Sequence, residues 1–250
     1  MCRLMGVVAR EPARLRDLFA EDLEPFLAMA CEHSHGWGTA SITPRGTVGS
    51  YKEPVRADQS GMLEIALDGR TTDASLLHLR MASPLLPIVR ENTHPFGDER
   101  MAFIHNGYFI PITSIDNLIG EQLLETVEGD TDSERFYLAI RRRIEDGMEP
   151  PKAIASVAAD IQAAVTSFAS LNCMLLTTEA LYAYTAHDPE SEVISRRGET
   201  FFSLNYRRDA DKVLIASTGW PQDPPRWTTL PEGHVLEVRR GDLSTVVHGV

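Results

Sequence analysis

Four groups of residues in this chain are of a type and spacing that can do chemistry. The first is Cys2. With Met1 removed, which the small side chain at position 2 permits, a single residue carries both a thiol and a free α-amine. An α-amino group titrates near pH ~7.7–8.0, well below a lysine, so it can act as a general base close to neutrality. A thiol needs only modest help to become a nucleophile. Cys2 can therefore hold both halves of a nucleophile–base pair, bridged by a water. Taken alone, a cysteine at this position assigns nothing.

The second group is His78-Leu79-Arg80-Met81-Ala82-Ser83. An arginine in an apolar strand is costly to bury without a carboxylate partner, and its planar fork suits bidentate capture of a carboxylate. A strand-end arginine with its head in water is the plain alternative. The third group is Asn92-Thr93-His94-Pro95-Phe96, followed by Phe103-Ile104-His105-Asn106-Gly107-Tyr108. Asn-Gly at the end of an apolar run reads as a hairpin turn. It also reads as two convergent donors, the Asn106 amide and the Gly107 N–H, able to hold the oxyanion of a tetrahedral intermediate. The fourth is Gly129-Asp130-Thr131-Asp132-Ser133-Glu134. An ordinary helix N-cap at Thr131, Asp132 or Ser133 accounts for it, and so does a carboxylate that receives an ammonium.

The elements that must position these groups follow from periodicity. Arg3–Ala9 reads as a buried strand, and Ala13–Ala30 as a helical stripe interrupted at Pro25. Thr39–Ile42 and Thr47–Tyr51 form a hairpin pattern, while Ser75–Met81 and Met101–His105 read as central strands. Helical spacing covers Ser133–Ile144 and Ile154–Phe168. Strands follow at Asn172–Thr177, Leu181–Thr185, Lys212–Ser217, Val235–Val238 and Ser244–Val247, the last two joined across Arg240-Gly241-Asp242. Strands, then two helices, then strands predict an α+β layered domain rather than a parallel βαβ sheet. No repeat or linker divides the chain, so a single domain over residues 1–250 is expected.

Composition narrows the function class. The 250 residues are 43% hydrophobic and 24% charged, near the globular average, and enough to bury a core without a disulfide or metal staple. Lys+Arg 24 against Asp+Glu 36 gives a net charge of −12, which argues against nucleic acid or an anionic membrane as the main partner. Three cysteines make no secreted disulfide framework. The sequence shows no signal-peptide pattern and no apolar run of ~20 residues, so a cytoplasmic protein is expected. Cys31 and Cys173 lie on apolar stretches and read as buried fillers.

In this order, Cys2, the His-x-Arg strand, Asn-Thr-His-Pro-Phe, His105-Asn106-Gly107 and Thr131-Asp132-Ser133-Glu134 resemble the class II glutamine amidotransferases, the N-terminal-nucleophile family with a terminal cysteine. Leu230–Val238 looks like that family's last core strands, and His33-x-x-Gly36-Trp37-Gly38 resembles its stand-alone branch. The resemblance implies a four-layer αββα sandwich. It implies that Cys2 attacks a glutamine side-chain amide, its α-amine serving as base, with Asn106 and Gly107 as the oxyanion hole. Arg80 would clamp the substrate carboxylate and Asp132 the ammonium, with Ser83 preserving a substrate-binding hydroxyl. No metal, nucleotide or flavin cofactor is required. His35 stands where the branch usually has Asp, and Met81-Ala82-Ser83-Pro84 replaces the Trp-Ala-Thr-His that follows the arginine in synthase-fused members. His35, Trp37, His94 and His105 are the candidates for lining the substrate pocket.

Other readings share parts of this pattern. The same clamps suit a γ-glutamyl amide other than glutamine. No acceptor domain fits in the chain, so transfer of ammonia needs a separate synthase subunit. A metal-dependent hydrolase would draw on His33, His35, His78, His94 and His105, but no metal motif accompanies them. A catalytically silent interaction subunit would have no need of both clamp charges.

Overall fold

The computed structural model describes residues 1–249, and Val250, the last residue of the domain expected over 1–250, lies outside the described residues. Period-two alternation along each strand decides which layer a side chain enters. In β1 (Arg3–Arg14), Leu4 and Val8 face one apolar cluster, while Met5, Val7 and Ala9 face another. In β4 (Thr71–Leu79), Ala74 and Leu76 join the first cluster, and Leu77 and Leu79 the second. In β6 (Met101–Ile110), Ala102 and Ile104 again enter the first cluster, whereas Met101, Phe103 and Phe109 enter a third. A sheet that is apolar on both faces must be covered on both, and layers result.

Seven strands form one sheet, in the order β11 (Thr228–Thr229), β9 (Leu204–Arg208), β10 (Lys212–Ser217), β1, β4, β2 (Trp37–Ile42) and β3 (Val48–Glu53). Six form the other: β13 (Thr245–Gly249), β12 (His234–Arg239), β8 (Ala180–Tyr184), β7 (Ser167–Thr177), β6 and β5 (Phe96–Gly97). The first apolar cluster lies between the sheets and draws on both. Helices α1 (Leu15–Phe19), α2 (Leu23–Ala28) and α3 (Gly61–Asp68) cover the outer face of the seven-stranded sheet. Helices α4 (Asp116–Ile119), α5 (Glu121–Leu124), α6 (Asp132–Glu145) and α7 (Pro150–Ala164) cover the six-stranded one. The result is the expected αββα sandwich. A short helix, α8 (Glu192–Arg197), leads into a separate small cluster around Phe201 and Phe202.

Three sequence readings change. The stripe over Ala13–Ala30 is not one helix. β1 continues to Arg14 because Ala13 and Arg14 still pair with Thr72 and Thr71, and α1 ends where Ala20 takes a positive φ of 47°. Asn106-Gly107 is not a turn: β6 runs on to Ile110 because β7 offers it a partner up to Ser167. The second helix stops at Ala164, Val165 is extended, and Phe168 belongs to β7. The pattern reading missed α3, α8 and β9, each of eight residues or fewer and too short to set a period. Cys173 is buried as expected, but Cys31 is exposed. Among the described residues no helix is long and apolar enough to cross a membrane.

Candidate active site

Register brings the predicted residues to one end of the sandwich. Arg3 of β1 lies opposite Leu79 of β4, so Cys2 and Arg80 extend past the same rung. Cys2 keeps the parity of Leu4 and Val8, and Asn106 that of Ala102 and Ile104, so each lies on the inward face of its sheet. Cys2 is 8% exposed, and its thiol donates to the Met81 carbonyl at 3.7 Å. Burial pushes this thiol upward, against the pull of the terminal ammonium, the Met81 backbone and Arg80. It therefore rests as a thiol and needs a base. The ammonium of Met1, donating to Met81 Sδ at 2.8 Å, is pulled down chiefly by burial.

Arg80 is 2% exposed, yet its guanidinium meets no carboxylate among the described residues. It donates to the carbonyls of His35 at 3.2 Å and Pro87 at 3.3 Å, and burial holds its pKa down. His35 serves the backbone around it: its N–H donates to the Arg80 carbonyl, and its Nδ1 accepts from Ala82 N–H at 3.0 Å. Ser83 lies just beyond, in a turn whose carbonyl accepts from Leu86 N–H.

Asn106 is fully buried, and neither its amide nitrogen nor its oxygen has a partner among the described residues. Its cross-strand neighbour Asn172 is satisfied, donating to Phe202 O and accepting from Ala186 N–H. An unpaired amide beside a paired one marks a donor held ready for something else. Gly107 admits no side chain, since a Cβ there would collide with the Ser170 carbonyl.

Asp132 opens α6, capped by Thr131, whose Oγ1 accepts from Glu134 N–H at 3.2 Å. The β6–β7 register slips between Tyr108 and Phe109, and the Phe109 N–H turns to Asp132 Oδ2 at 3.1 Å. Burial raises the Asp132 carboxyl, outweighing the opposing pull of His105 and of the hydrogen bonds from Phe109 and Ser133. Ser133 Oγ lies 3.3 Å from Asp132 Oδ1 and 2.9 Å from His105 Nδ1, so its one proton serves either acceptor. Cys2 senses Arg80 and Asp132 together.

The remaining candidates are placed differently. His105, adjacent to Asn106, shares the parity of Phe103. It faces the helical layer, stacked near Phe103 and Phe136, and its Nε2–H donates to Ser170 O at 3.1 Å. Trp37 is fully buried in the helix-side core against Tyr51. His94 is buried beneath His78, with ring centroids 4.1 Å apart and both nitrogens unpartnered. Burial lowers both rings, His78 to about 3. His33 turns to the Met29 carbonyl. Among the described residues no three histidine, cysteine or acidic side chains converge on a point where a metal could sit. Sequence reasoning missed Ser133 as the link between His105 and Asp132, and it missed Arg3 and Phe201. Only the position of Arg3, next to the nucleophile, hinted at the latter pair.

The family model described as glutamine amidotransferases class-II matches residues 1–249. No curated protein sequence matches significantly. Among solved structures, a glutamine aminotransferase class-II domain protein from Silicibacter pomeroyi is similar at 19% identity and TM-score 0.70, covering 99% of both chains. The glutamine phosphoribosylpyrophosphate amidotransferase of B. subtilis is similar at 14% and 0.63, covering 99% of this chain and 49% of its own. A predicted glutamine amidotransferase from Pseudomonas aeruginosa PA01 is similar at 16% and 0.55, covering 97% and 99%.

Proposed function

The chain belongs to the class II glutamine amidotransferases, and on that premise we propose that it hydrolyses the γ-amide of glutamine, or of a γ-glutamyl compound, through a Cys2 thioester. The observation that carries this reading is a pair of buried groups of opposite charge around Cys2 that make no ion pair with Lys, Arg, Asp or Glu among the described residues. Arg80 donates only to carbonyls, and Asp132 faces His105 through Ser133 but no lysine or arginine. A free α-amino acid supplies one charge of each sign, so its binding relieves two burial costs at once.

With Met1 removed, the Cys2 α-amine takes the thiol proton, and Sγ attacks the amide carbon. The oxyanion is received by the unpaired amide of Asn106 and by the Gly107 N–H. The amine returns its proton to the leaving nitrogen, the C–N bond breaks, and ammonia or an amine departs. Water, deprotonated by the same amine, then attacks the thioester and releases glutamate and free Cys2. Retained Met1 would convert the amine into an amide and remove the base. No metal or organic cofactor enters any step. The protein acts as one domain in the cytoplasm, where a thiol nucleophile stays reduced. Any acceptor for the ammonia lies on a separate synthase subunit.

The test is glutamate release from L-glutamine by protein shown by mass to lack Met1, beside Cys2→Ala. Release that Cys2→Ala abolishes upholds the reading. Release unaffected by that change overturns the nucleophile. Silence on every γ-glutamyl substrate leaves a non-catalytic interaction subunit in its place.

A further inference from the structure

Resting on the hydrolase reading above, the geometry points to a leaving-group pocket, now filled by Met1, that takes the amino-acid moiety of a γ-glutamyl dipeptide. Arg80 and Asp132 hold the glutamyl end of the substrate. The departing nitrogen takes its proton from the Cys2 α-amine, so it must lie beside that amine. Whatever the nitrogen carries extends towards the space where Met1 now sits.

That space is built for more than ammonia. The Met1 side chain packs on the cluster of Ala169, Ile194, Phe201 and Phe202, with Tyr108 at its edge. Two guanidiniums flank the Phe201 ring, with Arg3 Cζ at 4.3 Å and Arg197 Cζ at 4.9 Å from its centroid. Arg197 is neutralised by Glu32. Arg3 is not: it is 3% exposed, donates only to the Phe201 carbonyl at 3.3 Å, and leaves its Nε buried without a partner. Gly219 keeps the room beside that Nε, since a Cβ there would stand 3.1 Å from it. The terminal ammonium of Met1 feels Arg3, Arg197 and Glu32, which places all three charges around the space.

Counting one charge each, Arg3 and Arg197 against Glu32 leave a net positive charge beside an aromatic wall. An ammonia-sized leaving group uses neither feature. An amine with an apolar body and one carboxylate uses both, the carboxylate pairing with Arg3 and the body replacing the Met1 side chain. Hydrolysis breaks the γ-amide C–N bond, water adds across it, and the products are glutamate and a free α-amino acid.

The experiment compares kcat/KM for L-glutamine, γ-L-glutamyl-L-phenylalanine and γ-L-glutamyl-L-phenylalaninamide, using full-length chain shown by mass to lack Met1. The dipeptide is expected to exceed glutamine by at least about tenfold, and to exceed its own amide by a similar factor, which reports the carboxylate. Arg3→Gln should collapse the dipeptide-to-amide ratio towards one. Should Arg3→Gln fail to fold, Phe201→Ala should collapse the dipeptide-to-glutamine ratio instead. Cys2-dependent turnover of glutamine without turnover of the dipeptide overturns the pocket and leaves the hydrolase reading standing. A preference for the dipeptide that both variants retain also overturns it. Silence on all three substrates overturns the hydrolase reading and the pocket with it.

Discussion

Two buried arginines, at opposite ends of the seven-stranded sheet, are treated differently. Arg207, on β9, is 3% exposed and has three carboxylates within 4 Å: Asp22 at 2.9 Å, Asp209 at 3.1 Å and Glu21 at 3.8 Å. It also stacks on Trp227, with 5.1 Å from Cζ to the ring centroid. Arg80, just past the end of β4, is 2% exposed and has none. A charge buried for the fold is neutralised within the fold, because leaving it alone costs several kcal/mol. A charge buried for a ligand is left open, and the fold bears that cost until the ligand arrives. Burial alone does not separate the two; the inventory of partners does.

The comparison predicts opposite phenotypes. Arg207→Ala should destabilise the protein by about 3–5 kcal/mol in urea unfolding, because Asp22 is left buried and unpaired, with KM unchanged. Unaltered stability would break the contrast at its structural end. Asn106→Ala should lower kcat about 10²–10³-fold with little change in KM, as loss of an oxyanion donor does. An effect confined to KM would move Asn106 from the transition state to ground-state binding. Arg80→Gln should raise KM about 10–100-fold, the worth of a charge-assisted pair, while leaving unfolding stability equal to wild type or above it. Lost stability would make Arg80 a second Arg207.

The smallest effects are pH-dependent and have opposite signs. Burial holds the Asp132 carboxyl above its ordinary value, so the folded chain binds that proton more tightly than the unfolded one. Its stabilisation is full at low pH and is lost as pH rises through the folded value. The Tm of Asp132→Asn relative to wild type should therefore increase from about pH 4 to about pH 7. His78 is lowered to about 3 from 6.5. Its contribution is present above 6.5 and is lost as pH falls towards 3. His78→Gln should flatten the acid side of the Tm profile, and an unchanged profile would remove His78 from acid unfolding.

Much of the site was legible in the chain because its chemistry depends on residue type. The roles proposed for Cys2, Arg80, Asn106 and Asp132 are ones that few substitutes perform, and their order along the sequence is itself a signature. The strands were legible where they are buried on both faces, since β4 and β6 read as continuous apolar runs. The first helical stretch was misread because Leu15, Phe19, Leu23 and Phe26 keep a helical spacing that two short helices share as well as one long helix. The Asn-Gly pair was ambiguous for a related reason. The pair itself favours a turn, and only the partner strand β7, which sets Asn172 and Leu171 opposite it, keeps it extended.

The sequence by itself showed which residue types could serve as nucleophile, base and clamps, and which stretches repeat with the period of a strand or of a helix. All of these follow from side-chain chemistry and local period. The tertiary structure alone decided which of two neighbours points where: Asn106 inward to the site, His105 outward to Ser133 and α6. It alone decided that Arg207 is paired and Arg80 is not, and that Trp37 and His94 are buried. Pairing and burial depend on what long-range register brings alongside, and register is fixed by the whole sandwich rather than by any one segment.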